Sequence, residues 1–356
     1  MKLIMIFLLS SFLTMKTDYL DKFQGCLIGV AVGDTLGHPF EGILRERIYS
    51  RFSDFKEFIT SNKKLFNTYT DDTQLTLHTA KALIQGSGFN EDYFIREYVE
   101  WLEDPPIGPG FGCISSIQKL KYGISCKKAA SNSGGNGTTM RVSPIGLFYC
   151  KDIKNLKIFA LRSSNITHSH PAASAGAIVV ARAIAFLIDK TVETEFSVDE
   201  FFDVVISPIS DSREKIWDEF IEILNKVKNS LNISFEAGLI KFSQVGVKTP
   251  YFIEDYLGKA FVHPYTLSTV ACAIFIFLKY LHSFEECIFQ LATAGGDSDT
   301  VGAIGGSLAG AYFGKGNIPD DLTQLVRGYK DILKISEELW LKFKEIYITK
   351  STMNYL

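Results

Sequence analysis

The densest chemistry in this 356-residue chain is Thr70-Asp71-Asp72-Thr73, two adjacent carboxylates flanked by hydroxyls just ahead of a helical pattern through Leu75, Leu83 and Ile84. Hard oxygen donors at that density suit Mg2+. Asp and Thr at a helix start equally cap the first amides and complement the dipole, and taken alone that is the commoner use of such a cluster. A second acidic turn, Gly295-Gly296-Asp297-Ser298-Asp299-Thr300, repeats the chemistry far along the chain, again ahead of a helical stretch, Val301 to Phe313. Two such turns facing each other would supply the oxygens of a two-magnesium site. Carboxylates gathered without a cation repel one another, so a metal is the economical explanation of the pair.

A third piece is Gly33-Asp34-Thr35-Leu36-Gly37-His38-Pro39-Phe40-Glu41, where a helix expected from about Asp18 runs into a Gly/Pro loop that ends in a carboxylate. Glu41 alone reads as a solvated loop residue, and Asp34 as a structural group bonding a neighbouring loop. Glycines concentrate at 29–42, 108–112, 134–137 and 295–314. In a helical chain these mark loops or close backbone approach, because Gly inside a helix costs about 1 kcal/mol against Ala. His168 and His170, taken singly, are more often structural than ligating.

The elements that must position these residues are helical. Ile216, Phe220, Ile223, Leu224, Val227 and Leu231 form one apolar stripe, and Pro171 to Ile188 and Pro264 to Leu281 are apolar on nearly every face, as central helices of a bundle would be. Pro264 suits the first turn of its helix, and Asp71 and Asp297 could cap theirs. After Asp320 a helical stretch with Val326, Tyr329, Ile332 and Leu333 on one face reads as packing. No run alternates apolar and polar residues as a half-buried strand would, so the expected fold is all-α, one compact single-domain bundle.

Hydrophobic residues make up 46% of the chain and the net charge is -3; the chain can bury a large core but offers no basic field for nucleic acid. The six cysteines show no metal spacing and read as buried thiols. Residues 1–14 resemble a short signal segment without a small-residue cleavage site, or an over-extended start before Met15; they are too short for a conventional bilayer span. The expectation is a domain over 15–356 that is cytoplasmic and monomeric, or secreted if 1–14 is a genuine signal peptide.

Five landmarks in order, Gly25-Cys26-Leu27-Ile28-Gly29 through Gly37, Thr70-Asp71-Asp72-Thr73-Gln74, Gly135-Asn136-Gly137-Thr138-Thr139-Met140-Arg141, Thr167-His168 and Gly295 to Gly302, resemble the ADP-ribosylglycohydrolases. The resemblance implies an all-helical fold of that type with a central dinuclear site for two Mg2+ ions. It would place Thr70, Asp71, Asp72 and Asp299 on one metal and Asp297, Asp299 and Thr300 on the other, with Asp299 bridging. Glu41 stands where the serine- and poly-ADP-ribose-directed branch has a glutamate that contacts metal and acts as the acid/base group; Asp71 or Asp72 is the other candidate for proton transfer. Gly110-Phe111-Gly112-Cys113 resembles the family loop whose amides contact the diphosphate, and Ser133, Gly135 and Asn136 would lie against ribose and phosphates. His168 would bind a ribose or phosphate oxygen, and Arg141 would anchor its loop through an ion pair. Gly134 departs from the serine-directed branch, which has an aromatic there. The implied substrate is an ADP-ribosylated protein or ADP-ribose conjugate, with arginine, serine, polymeric and O-acetyl linkages all open and Glu41 leaning toward an O-linked one. A catalytically silent ADP-ribose-binding or structural relative and a metal-dependent nucleotide phosphohydrolase are the competing classes.

Overall fold

The computed structural model describes residues 2–52, 54–211, 214–248, 256 and 258–349, with side chains from residue 19 onward. The side chains of the signal-like segment 1–14 therefore lie outside the described residues. The described helices are α1 (Lys2–Gly37), α2 (Arg45–Tyr49), α3 (Phe55–Asn62), α4 (Asp71–Gly86), α5 (Glu91–Trp101), α6 (Phe111–Lys121), α7 (Cys126–Ala129), α8 (Ser143–Phe148) and α9 (Ile153–Asn165). They continue with α10 (Pro171–Leu187), α11 (Val198–Ile206), α12 (Lys215–Lys228), α13 (Phe235–Phe242), α14 (Thr266–Lys279), α15 (Phe284–Ala292), α16 (Ser298–Phe313), α17 (Asp320–Leu325) and α18 (Tyr329–Phe343). Among the described residues β structure is limited to isolated bridges. The all-α expectation holds.

Every residue of α16 is buried, and the helix packs against α1, α10, α14 and α15. Its contact with α1 runs along a glycine seam. A Cβ on Gly29 would stand 2.1 Å from the Gly306 carbonyl oxygen, one on Gly33 1.9 Å from that of Gly302, and one on Gly25 2.4 Å from that of Gly310. Ascending numbers on α1 meet descending numbers on α16, so the two helices are antiparallel. Glycine every fourth residue places the absent side chains on one stripe, and the backbones close to van der Waals contact. The seam ends where Gly37 meets Ser298, whose hydroxyl donates to the Gly37 carbonyl at 2.9 Å. It thus brings Asp34, near the end of α1, beside Asp299, at the start of α16.

Several expectations are corrected. The first helix runs unbroken from Lys2 to Gly37 rather than starting near Asp18; the glycines at 29–37, like those at 302–310 in the expected helix, mark close backbone approach rather than a loop. Pro264 precedes α14, whose N-cap is Tyr265; a proline outside the first turn still stops the backbone from winding earlier. The stretch after Asp320 is two helices, because Val326 is extended; Val326 and Ile332 are buried, with Tyr329 and Leu333 packed against the core. The α12 stripe holds for Phe220, Ile223, Leu224 and Val227, while Leu231 lies beyond the helix end. All six cysteines are free, and five of them are buried.

Gly306→Ala should destabilise the protein by about 3 kcal/mol, since its Cβ would meet a backbone carbonyl that cannot step aside. Gly110→Ala, whose Cβ would meet nothing within 4 Å, should change stability by under about 0.5 kcal/mol. Urea unfolding of the two variants checks this, and equal midpoints would overturn the seam's role.

Candidate metal centre and substrate cleft

The first acidic turn is held from behind by Asp34. This wholly buried carboxylate accepts four hydrogen bonds: the Thr70 and Thr73 amides and the Thr70 hydroxyl at 3.0 Å, and the Thr73 hydroxyl at 2.6 Å. Asp34 is the structural group the sequence allowed it to be, and it leaves the neighbouring carboxylates free to turn elsewhere. Thr70, not Asp71, is the N-cap of α4, accepting from the Asp72 amide at 3.3 Å. The cap is thus made by threonine, while Asp71 and Asp72 face a cleft.

The second turn is threaded through neighbouring backbone. Gly295 and Gly296 have φ of +82° and +73°, and a Cβ on Gly296 would stand 2.3 Å from the Val262 carbonyl oxygen. Only glycine suits both the handedness and the space. Gly296 exchanges hydrogen bonds with the segment after Glu41, its amide donating to Ile43 at 3.0 Å and its carbonyl accepting from Gly42 at 2.8 Å. The Asp297 amide donates to Val262 at 3.0 Å. Asp297 precedes α16 as its N-cap but makes no side-chain cap bond; its carboxylate instead accepts from the Asn136 amide.

The two turns converge. The Thr300 hydroxyl lies 3.4 Å from Asp72 Oδ2, across 228 positions of sequence. Burial, first, and then repulsion from neighbouring carboxylates, Asp34 for Asp72 and Asp297 for Asp299, hold both well above the usual carboxylate range. Asp71 is raised by burial and by Asp34, with Arg141 pulling it down. Burial pushes Asp34 and Asp297 up to about 6 against the hydrogen bonds they accept. Asp72 Oδ1 is buried with no hydrogen-bond partner, a costly condition in an apolar interior. An oxygen-rich, partly unpartnered carboxylate cluster of this kind fits a hard divalent cation.

A cleft of about 620 Å³ opens over the cluster. Asp71, Asp72, Asp297, Asp299 and Thr300 line it, as does Glu41, which is exposed to solvent. Gly110 and Gly112, at the start of α6, form part of the wall, with Ser133, Gly135, Asn136 and His168. Of the residues assigned from sequence to metal, proton transfer or substrate, only Thr70, wholly buried, is not in the wall. Asn136 is fixed by donating to both Thr269, at 3.0 Å, and Asp297; Ser133 accepts from the Gly135 amide at 3.1 Å.

His168 is held by its neighbours. Arg141 donates to the Thr167 hydroxyl at 2.6 Å, and that oxygen lies 2.9 Å from His168 Nδ1. Nδ1 is thereby engaged by the threonine, which fixes the ring and leaves Nε2 as the other hydrogen-bonding nitrogen. Burial, with the Arg141 charge, pushes His168 down to about 3, so it is neutral at physiological pH. Nε2 lies beside Gly112 and Gly137, where a Cβ would come within 3.5 Å of it. Arg141 itself is buried and bonded to neutral partners, the Tyr98 hydroxyl at 3.0 Å, Cys113 Sγ at 3.3 Å and the Gly137 carbonyl. It anchors its loop as expected, but by hydrogen bonds and by stacking over Tyr98 rather than by an ion pair. His170 is structural, as the sequence reading has it: it is the N-cap of α10, and its ring accepts from the Ala172 amide at 3.1 Å.

Three residues escaped the sequence reading. Tyr265 lines the cleft, and its ring would be 2.5 Å from a Cβ on Gly134, so it fills the room of a side chain at that position. Arg45 is buried, bonding Thr293 and Gln290 and stacking over Tyr49 and Phe235, which pins the segment after Glu41. His38 places a ring nitrogen near Glu41 and Asp299; it stood in the Gly37–Glu41 run, where a lone histidine has no spacing partner to mark it.

The family model for ADP-ribosylglycohydrolase matches residues 15–347. The chain belongs to the ADP-ribosylglycohydrolase family. As a glycohydrolase it is similar to ADP-ribosylhydrolase ARH3 of Gallus gallus, 26% identical over 89% of this chain and 92% of that protein. It is also similar to the ADP-ribosyl-[dinitrogen reductase] glycohydrolase of Rhodospirillum rubrum, 24% identical over 84% of this chain and 88% of that protein. A solved structure titled ADP-ribosylglycohydrolase-related protein complex superposes with a TM-score of 0.68 at 22% identity, covering 92% of this chain and 99% of that one, so the glycohydrolase fold is shared. No helix among the described residues is long and apolar enough to cross a membrane.

Asp34 and Asp297 bind their protons more tightly folded, near 6, than unfolded, near 4. The folded state therefore gains protons, and stability falls as pH rises from about 4 through 6. Melting in EDTA should show that fall, and millimolar Mg2+ should reverse it at pH 7 while doing little at pH 4. A melting temperature in EDTA that is flat or rising over this range would contradict the assignment.

Proposed function

We propose that this glycohydrolase removes ADP-ribose from a modified protein side chain or small conjugate by hydrolysis at the anomeric carbon, with two Mg2+ ions resident in the acidic cleft. The observation that carries the reading is the convergence of the two acidic turns, with the Thr300 hydroxyl at 3.4 Å from Asp72 and a buried Asp72 oxygen left without a partner. Thr70, Asp71, Asp72 and Asp299 would hold one ion and Asp297, Asp299 and Thr300 the other. When bound, the ions would polarise the hydroxyls of the ribose next to the scissile bond and make a bound water more acidic.

The remaining work falls to the chain's own groups. His168 would hydrogen-bond a ribose or phosphate oxygen through Nε2 without adding charge, while the backbone around Gly110 and Gly112 would accommodate the diphosphate. Asn136 holds Asp297 in place and Ser133 shapes its loop. Glu41, exposed in the cleft wall, would pass a proton to the leaving oxygen or nitrogen and take one from the attacking water. The buried Asp71 and Asp72 favour the positive charge that develops on the ribose ring as the bond breaks.

Release of ADP-ribose from arginine- and serine-modified peptides, each with Mg2+ and with EDTA, tests this reading. Asp299→Ala should lower the rate at least about a hundredfold. Asp54→Ala, which removes only the α3 cap bond to the Glu57 amide, should cost about 1 kcal/mol of stability and leave the rate unchanged. Equal rates for the two variants, release of AMP, or no metal-dependent release from either peptide would count against the proposal. His168→Phe should raise KM about tenfold or more with a smaller change in kcat, as loss of a binding hydrogen bond does.

A further inference from the structure

We propose that His38 is a nitrogen ligand of the metal centre, so that the position shared by His38, Glu41 and Asp299 prefers a first-row transition-metal cation to Mg2+. The inference rests on the proposed metal-dependent reading and concerns which ion one of its positions selects. A ring nitrogen of His38, a carboxylate oxygen of Glu41 and one of Asp299 all lie within 4.8 Å of one another. Two ligands on opposite sides of an ion at about 2.1 Å are about 4.2 Å apart, so this spacing accommodates one cation with small closure. His38 Nδ1 is buried and has no hydrogen-bond partner. Nearby, Asp72 Oδ1 is likewise unpartnered in a residue only 2% exposed, an independent sign that the cluster is built to receive positive charge.

The local fold presents these groups deliberately. His38–Phe40 is a 3-10 turn with Pro39 in its first positions, and in that geometry side chains three apart eclipse. His38 and Glu41 therefore face one side. Between them Phe40 is buried against Phe58 and Phe52, with ring centroids 5.4 Å and 6.3 Å away. Gly37 is pressed onto Ser298 at the other end of the turn. The turn is thereby fixed on the start of α16, where Asp299 stands.

The chemistry of the donor set decides the consequence. Threonine and carboxylate oxygens alone suit Mg2+ and Ca2+ as well as Mn2+, whereas an added imidazole nitrogen strengthens binding of first-row transition ions, Mn2+ included, and gives Mg2+ little. Adding His38 to Glu41 and Asp299 makes a mixed nitrogen and oxygen position beside the all-oxygen position of Asp71 and Asp72.

The test uses the full chain stripped with EDTA and titrated with Mn2+, read by electron paramagnetic resonance for bound ion and by electron spin echo modulation for coupling to 14N. The wild type should bind Mn2+ with 14N coupling. His38→Gln and His38→Ala should lose that coupling and about tenfold in Mn2+ affinity at one position, with Mg2+ competition changed less than twofold. Matching melting curves in EDTA would show that the variants fold. Bound Mn2+ without nitrogen coupling in the wild type, or coupling that survives in both variants, would overturn the role of His38 while leaving the metal centre standing. Absence of tight Mn2+ binding would overturn both.

Discussion

The approach of two backbones along a glycine seam is the constraint on which the acidic cleft of this molecule depends. Carbonyls of α16 sit where side chains of α1 would otherwise be, and the reverse. That contact sets the depth of Asp34 and Asp299 relative to each other with little tolerance, because backbone atoms, unlike side-chain ends, cannot swing away. Asp34 then passes the register on to the Thr70 turn through four hydrogen bonds. One carboxylate is spent on architecture so that four others can be arranged around open space.

The cost of that arrangement is electrostatic. Five aspartates are raised above their ordinary range, burial being the first cause in each. Hydrogen bonds relieve Asp34 and Asp297 but not Asp72 Oδ1. Hydrophobic burial elsewhere, around α10, α14 and α16, keeps the repelling groups together. Isolated bridges do the fine placement: Ser131 with His168 and Gly135 with Tyr265 tie strips of cleft wall together, and Val262 with Gly296 fixes the backbone just before Asp297.

Much of this was legible from residue types. Helical periodicity announces an all-α fold because a 3.6-residue repeat has no other reading over such lengths, and the two acidic turns stand out because carboxylates rarely cluster twice. The seam was only half legible: glycine at intervals of four signals close approach or a loop with equal force until its partner is known, and the partner lies at the far end of the chain. The break before α18 and the true start of α14 were hidden because Val326 and Pro264 fit a helical pattern that neighbouring backbone forbids. Arg141 looked like half of an ion pair because charge is visible in sequence, whereas its neutral partners, Tyr98, Thr167 and the Gly137 carbonyl, are brought together only by folding. His38 was in view but mute, since its alignment with Glu41 depends on a 3-10 turn rather than on α spacing.

The pairing of chain ends along the seam also bears on synthesis. Asp72 and Thr300 are 228 positions apart, and α1 has no glycine-faced partner until α16 has been made. A ribosome-bound chain therefore emerges with its first acidic turn unmatched and its first helix exposing a stripe of bare backbone. The acidic cleft forms only once residues on both sides of that separation have emerged, and the long-range closure that creates it sets a high loop-entropy barrier to folding. Until then the growing chain holds one acidic turn without the other.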